Sequence, residues 1–275
     1  MTTLTNDGLF AVAERLGVQT LPLVLAVAPH HDSYADWQAA QQDAVAGLTD
    51  AGVFDTYGEV SSDLAQAFFV LAQPERELVA RIYRVPPNRA GEESAAPADV
   101  VRVCLARRGE DHAIAVRTGD DFELQTFWSD GSGDSLARPL FGALGACAPA
   151  QIPDFNVPSQ DLSERLSEAS TAIEYADACY ALGVPDREAT ILGLAFESCY
   201  AYAEIVAYTH EDGIATRTPG AVAVYDTGRG RIIAIPALAP DQQSWSTVTP
   251  GTDHRIAQAI SALIQLLPGE RWLRL

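Results

Sequence analysis

The chain contains no lysine. Its 18 basic residues are all arginine, and 37 acidic residues leave a formal charge of −19 at pH 7. A field of that sign repels phosphate backbones and anionic lipid, so no nucleic-acid partner is expected and a membrane surface is disfavoured. Long apolar runs are missing too. The longest, Leu21 to Pro29, falls well short of the roughly 20 residues of a membrane helix, and no membrane insertion is expected. The opening Met1-Thr-Thr-Leu-Thr-Asn-Asp-Gly8 has neither the basic nor the apolar region of a secretory signal. Cysteine is scarce: Cys104, Cys147, Cys179 and Cys199 form no CxxC and no metal-ligand spacing. Four reduced thiols in a cytoplasmic protein are the expectation. With 48% hydrophobic and 20% charged residues, 275 residues suffice for a packed core in one large domain or two ordinary ones.

Local patterns divide the chain into elements. Leu9–Leu16 reads as a helix and Leu21–Val27 as a short strand. Asp32 or Ser33 caps a helix through Ala51, and a further helix runs from about Ser61 to Gln73, stopped by Pro74. Leu78–Val85 alternates as a strand does. Pro86 to Pro97 reads as a loop. Val100–Ala106, Ala113–Arg117 and Phe122–Trp128 are strands joined by turns at Gly109 and Gly119. Asp134 or Ser135 starts a helix to about Ala146. Ala148 to Pro158, with three prolines, reads as a linker. Helices follow at Leu162–Leu182 and Asp186–Phe196. The strands after them are Ala201–Thr209, Ala215–Tyr225 (broken near Pro219), Arg231–Pro236 and Ser244–Thr249. Thr252 or Asp253 caps a last helix whose Ile256, Ile260, Leu263 and Leu267 share one face.

The pattern repeats. At an offset of 125, Leu78–Tyr83 overlies Ala203–Tyr208. At an offset of 119, Val103 and Leu105 overlie Val222 and Val224, and Ile114 and Val116 overlie Ile233 and Ile235. The expected fold is therefore α/β (α+β) and quasi-twofold. Each half carries an antiparallel strand meander packed on helices, with the sheets joined centrally. The halves are 1–148 and 159–275, with 149–158 as linker, forming one compact unit. Alternation assigns the faces. Val103, Leu105, Ile114, Val116, Val222, Val224, Ile233 and Ile235 should face helices. The opposite face carries Cys104, Ala106, Ala113, Ala115, Ala221, Ala223 and Ala234 beside Tyr202, Glu204, Val206 and Tyr208. That second face is smooth, and it is either covered by loops and the other half or left bare for a protein partner.

Chemistry is thin. Asp226-Thr-Gly228 matches the aspartic-protease tripeptide, but its counterpart at offset 119 is Arg107-Arg-Gly109, which supplies no second carboxylate. It reads as a hairpin turn. Gly228-Arg-Gly-Arg231 lacks phosphate-loop spacing, and Gly131-Ser-Gly133 is no nucleophile elbow. His30-His31-Asp32 lacks a third metal ligand at usable spacing. His112, His210 and His254 have no nucleophile beside them in sequence. No cofactor, no metal site and no catalytic residue is expected.

The motifs taken in series resemble a known family. They are Leu21-Pro22, Leu71-Ala-Gln-Pro-Glu-Arg-Glu-Leu78 and Ala106-Arg-Arg-Gly109, then Ala203-Glu-Ile-Val-Ala207 and Asp226-Thr-Gly-Arg-Gly-Arg-Ile-Ile-Ala234, and finally Trp245-Ser-Thr-Val-Thr-Pro-Gly-Thr-Asp253 and Leu267-Pro-Gly-Glu-Arg-Trp272. In that order they are similar to the EspG family, the ESX (type VII) secretion-associated proteins of mycobacteria and related actinobacteria. The resemblance implies a cytosolic, non-enzymatic chaperone with a quasi-twofold fold. Such a chaperone binds PE–PPE heterodimers by the apolar tip of the PPE subunit. Glu204 matches the Glu of the family's EIV strand, and Ala223 stands where some relatives have Ser. The turn Arg107–His112 is shorter than a strand-connecting loop of some relatives.

The partner-facing set expected on this reading is Tyr202, Glu204, Val206, Tyr208, Thr216, Thr218, Ala221, Ala223, Ala234, Arg102 and Cys104. Two other readings make different expectations. A homodimeric scaffold would bury the alanine-lined face against a second copy. A hydrolase would place His112 or His254 beside a carboxylate in a cleft.

Overall fold

The computed structural model of the chain describes residues 1–84 and 99–273, so the expected loop Pro86–Pro97 lies outside the described residues. The first half opens with strand β1 (Thr2–Thr5) and helix α1 (Asn6–Leu16), whose first turn is capped by Thr5. Helix α2 (Tyr34–Asp50) is capped by Ser33, and α3 (Ser62–Ala72) follows. A meander comes next: β2 (Arg76–Arg84), β3 (Asp99–Arg108), β4 (Asp111–Thr118) and β5 (Asp121–Phe127). It is closed by helix α4 (Gly133–Leu144). The second half repeats the series with β6 (Phe155–Pro158), α5 (Ser159–Glu168), α6 (Ala172–Ala181) and α7 (Asp186–Glu197). Its meander is β7 (Cys199–Glu211), β9 (Val222–Thr227), β10 (Gly230–Leu238) and β11 (Ser244–Pro250), with β8 (Ile214–Arg217) paired outside β7 as a short hairpin arm. Helix α8 (Asp253–Gln265) closes it.

Among the described residues the strands form one sheet, ordered β1-β5-β4-β3-β2-β7-β9-β10-β11-β6. Read from the centre outwards the two halves are the same sequence of elements. Strands β2 and β7 pair antiparallel, and Ala80 lies opposite Ile205, its own equivalent at the 125-residue offset. The quasi-twofold axis therefore passes between these two residues. The second offset is visible in register as well: Leu105 pairs with Ile114, and Val224 with Ile233.

Alternation places the bulky face as expected. Leu78, Val103, Leu105, Ile114, Ile205, Val222, Val224 and Ile233 are buried against α4 and α8. The two helices close on each other where Gly133 sits. A Cβ built there would stand 2.2 Å from the Ala257 carbonyl oxygen and from Ser261 Oγ. Gly133→Ala must push α4 off α8, at a cost of about 1–3 kcal/mol, or a fall in Tm of roughly 2–10 °C. Differential scanning calorimetry reads this directly, and an unchanged Tm would mean the helices part at no cost.

The opposite face departs from expectation. Cys104, Ala106, Ala113 and Ala115 are fully buried with α1 and α3, and Ala234 is buried with α5, α6 and α7. Small side chains let these helices seat close to the sheet. Among the described residues, the alanine-lined face is therefore mostly covered by the chain's own helices, and its middle carries no helix.

Four local readings also change. Leu21–Val27 is not a strand: Leu23–Leu25 form a 3-10 turn ended by Ala26 in the left-handed region, at φ 48°. Arg117 holds that turn by donating to the Leu25 and Ala26 carbonyls. The helix expected over Leu162–Leu182 is two, because Thr171 and Glu174 form a capping box that starts a new helix at Ala172. The segment read as a linker supplies strand β6, which pairs with β11. Strand β1, within a stretch given no element, pairs with β5.

Candidate functional site

Between the helices of the two halves, one stripe of sheet has no helix of the described residues over it. It is the central pair β2–β7, on which Arg81 is exposed, while Glu77, Val79 and Val206 lie buried at its floor. On this side Glu77 lies opposite Tyr208, Val79 opposite Val206, Arg81 opposite Glu204, and Tyr83 opposite Tyr202. The wall on one side is the turn Thr20–Val24 together with Leu71, Ala72 and Pro74 at the end of α3. The β7–β8 hairpin supplies His210, Ala215 and Arg217, and the space enclosed is about 420 Å³. A second space of about 380 Å³ lies towards the other half. Its floor is Ala221, Ala223 and Ala234, and its wall includes Ser159, Gln160 and Leu162 of α5. Glu204 and Arg217 line both spaces and form an ion pair at 2.9 Å. The two spaces are thus one groove crossed by a polar bar.

The groove's rim is apolar and its floor mixed. Leu23, at the crest of the clamped turn, is 96% exposed. An isolated leucine so bare is ordinary on a surface; one held rigidly at the edge of a concave apolar wall suits a binding anchor. At the other end aromatic rings line up. Tyr83 stacks on Tyr202 with centroids 6.2 Å apart, Tyr202 meets Tyr225 at 5.1 Å, and Tyr225 meets Phe196 edge-on at 5.3 Å. Burial pushes the Tyr202 hydroxyl up to about 12, and burial raises Tyr225 too. Both stay neutral and able to donate.

The titratable groups present do not form a reacting set. Glu77 takes a hydrogen bond from Cys104 Sγ at 3.7 Å and lies 2.9 Å from His210 Nε2. The carboxylate stands between thiol and imidazole, so His210 does not reach the sulfur as it would in a Cys–His pair. Burial, and then the Glu77 charge, push the thiol well above its ordinary range, which is the opposite of activation. His112 accepts a hydrogen bond from Trp272 Nε1 at 3.0 Å in the core and lies outside both groove cavities. Among the described residues, no three His, Cys, Asp or Glu side chains are grouped to hold a metal ion. No helix among them is long and apolar enough to cross a membrane. Asp226-Thr-Gly228 forms the hairpin turn, with both Asp226 oxygens bonded to Arg231.

The structure brings most of the expected partner-facing residues together. Tyr202, Glu204, Val206, Tyr208, Ala221, Ala223 and Ala234 all line the groove. Cys104 does not: it is fully buried. Thr216 pairs with Thr209 and so points to the other side of the hairpin from Ala215 and Arg217. Thr218 is buried, accepting from Ala207 N–H and donating to the Gly220 carbonyl. Arg102 is half-buried beyond Arg81, across the β2–β3 pair. Sequence reasoning missed Leu23, Glu77, Val79, Arg81, His210 and Arg217. The alternation of β2 carried the signal for Glu77, Val79 and Arg81; nothing local carried it for the turn at Leu23.

Comparison with known proteins gives one consistent answer. A model of the EspG family matches residues 5–262. The ESX-3 secretion-associated protein EspG3 of Mycolicibacterium smegmatis is 30% identical over 271 residues, covering 98% of this chain and 88% of that protein. The ESX-1 secretion-associated protein EspG1 of Mycobacterium tuberculosis is 28% identical over 274 residues, with 98% and 88% covered. Among solved structures, the Mycobacterium tuberculosis type VII secretion system chaperone EspG5, in complex with the PE25–PPE41 dimer, superposes with a TM-score of 0.77 at 21% identity. The superposition covers 98% of both chains.

Proposed function

The chain belongs to the EspG family, and from that premise we propose that it is a cytoplasmic chaperone of ESX (type VII) secretion. Its client is a PE–PPE heterodimer, gripped by the apolar tip of the PPE subunit and kept soluble until export. The observation that carries this reading is the groove over β2–β7, a concave, partly apolar strip between the Thr20–Val24 turn with the end of α3 on one side and α5 on the other. An exposed helix tip would bury its apolar residues on Val79, Val206 and the alanine floor, and its polar ends would find Tyr202, Tyr208 and the Glu204–Arg217 pair. The halves 1–148 and 159–275 act as one cradle on this reading, each supplying one wall. A surplus of 19 negative charges keeps the loaded chaperone from self-association.

The reading makes the protein a binder and not an enzyme, in keeping with the chaperone family and with the way Glu77 separates Cys104 from His210. The homodimer reading is weakened, because most of the face it would bury is already covered by α1, α3 and α5–α7. Co-expression with the PE–PPE pairs of the source genome, followed by size-exclusion chromatography, tests the proposal. A stable ternary complex with at least one pair is expected. Failure with every pair, or a dimer that persists in their presence, would refute it.

A further inference from the structure

One transverse row on the groove side of the sheet carries too much charge of one sign. Arg117 on β4 stands directly opposite Arg102 on β3, Arg102 opposite Arg81 on β2, and Arg81 opposite Glu204 on β7. Like charges facing each other across neighbouring strands repel, and the chain has only 18 arginines to place against 37 acids. Two members of the row are committed. Arg117 donates to the carbonyls of Leu25, Ala26 and Gly119 and lies over the Phe122 ring at 5.2 Å. Glu204 gives its carboxylate to Arg217. Arg81 and Arg102 make no ion pair or hydrogen bond through their side chains among the described residues. Arg81 is exposed, and it lines the same cavity as Leu23 and Val79.

We propose that Arg81 and Arg102 form the carboxylate-binding end of the groove. They read an Asp or Glu of the client's helical tip that lies within one helical turn of the apolar residue packed against Leu23 and Val79. The proposal rests on the client-binding reading above. A guanidinium presents a planar fork that matches a carboxylate with two parallel hydrogen bonds. In a protein of charge −19, a distant acidic partner is repelled, so the stripe acts as a local exception. It accepts an acid at one place and rejects it elsewhere, which fixes the orientation and choice of client more than its raw affinity. The mutual repulsion in the free protein is the expected cost of such a device.

The test uses the full chain and whichever PE–PPE heterodimer it retains in co-expression. Arg81→Gln/Arg102→Gln is expected to weaken binding about tenfold, and Arg81→Glu/Arg102→Glu about a hundredfold. The Gln pair should melt at the parent's Tm or above it, because a repulsion has been removed. Replacing the tip acids of the PPE subunit by Arg, one at a time, should find one position that restores binding to the Glu pair. Unchanged affinity in both variants, no restoring position, or a Gln pair that binds weakly only because its Tm falls would each overturn the assignment while leaving the chaperone reading intact. A parent chain that retains no PE–PPE pair would end both.

Discussion

Ala223→Arg is expected to lower affinity for the proposed PE–PPE client by at least a hundredfold while moving Tm by no more than about 3 °C. Ala223 is half-buried on β9, opposite Glu204 on one side and Ala234 on the other, and it forms the floor of the 380 Å³ space. An arginine there fills the space a client's side chains would take, and a hundredfold loss corresponds to about 2.7 kcal/mol. The fold tolerates it because the site opens to solvent, so the guanidinium can reach water along an aliphatic stem. Glu204→Arg should act in the same direction by removing the partner of Arg217 and adding a third cation beside Arg81. Gln265→Arg, exposed on α8 across the sheet from the groove, is the control and should bind as the parent does. Calorimetric titration of the purified client into each variant decides the matter. Full affinity in Ala223→Arg would place the grip elsewhere on the molecule.

Trp272→Ala is expected to produce the largest loss of stability. The side chain is 2% exposed and packs into the core formed by α4, α8 and the bulky sheet face, with its indole stacked 6.4 Å from His112. Removing so large a buried ring costs about 3–5 kcal/mol, and Tm should fall by roughly 10 °C or more. Trp272→Phe keeps most of the packing but strands the His112 acceptor, and should cost about 1–3 kcal/mol. The same contact has a pH signature. Burial holds His112 below its ordinary value, outweighing the opposing influence of Glu110 and Asp111. Its Nε2 must be unprotonated to accept from Trp272. The unfolded chain binds a proton at about pH 6.5 and the folded chain only below that. This contribution is therefore complete above about pH 6.5 and is lost as pH falls towards the folded value. The drop in Tm between pH 7.5 and 5.5 should be smaller in His112→Gln than in the parent. An equal drop in both would show that His112 contributes nothing to it.

Much of the architecture was legible in the sequence. Leu105, Ile114, Val224 and Ile233 carry both the strand alternation and the repeat, and the structure pairs them in the register those offsets require. The Ser33 and Thr252 caps were legible because they are local: each accepts from the backbone N–H three residues on. The Thr171–Glu174 capping box is as local but lies inside a continuous helical pattern and escaped. The rest of what escaped was short and dependent on distant partners. β1 and β6 are four-residue edge strands that exist because β5 and β11 offer free edges. Leu21–Val27 has a strand's composition, but Pro22 and the grip of Arg117 on two carbonyls fold it into a turn. That turn carries Leu23, so the groove's wall was hidden with it.

The side of the sheet on which each residue stands was settled by the amino-acid order alone, because a strand's period of two is a property of its own backbone. Which part of the small-residue side stays open was settled only by tertiary packing. α1 and α3 seat on Cys104, Ala106, Ala113 and Ala115, the second half's helices seat over Ala234, and β2–β7 is left between them. No local pattern encodes that result, since coverage depends on where elements distant in sequence come to rest.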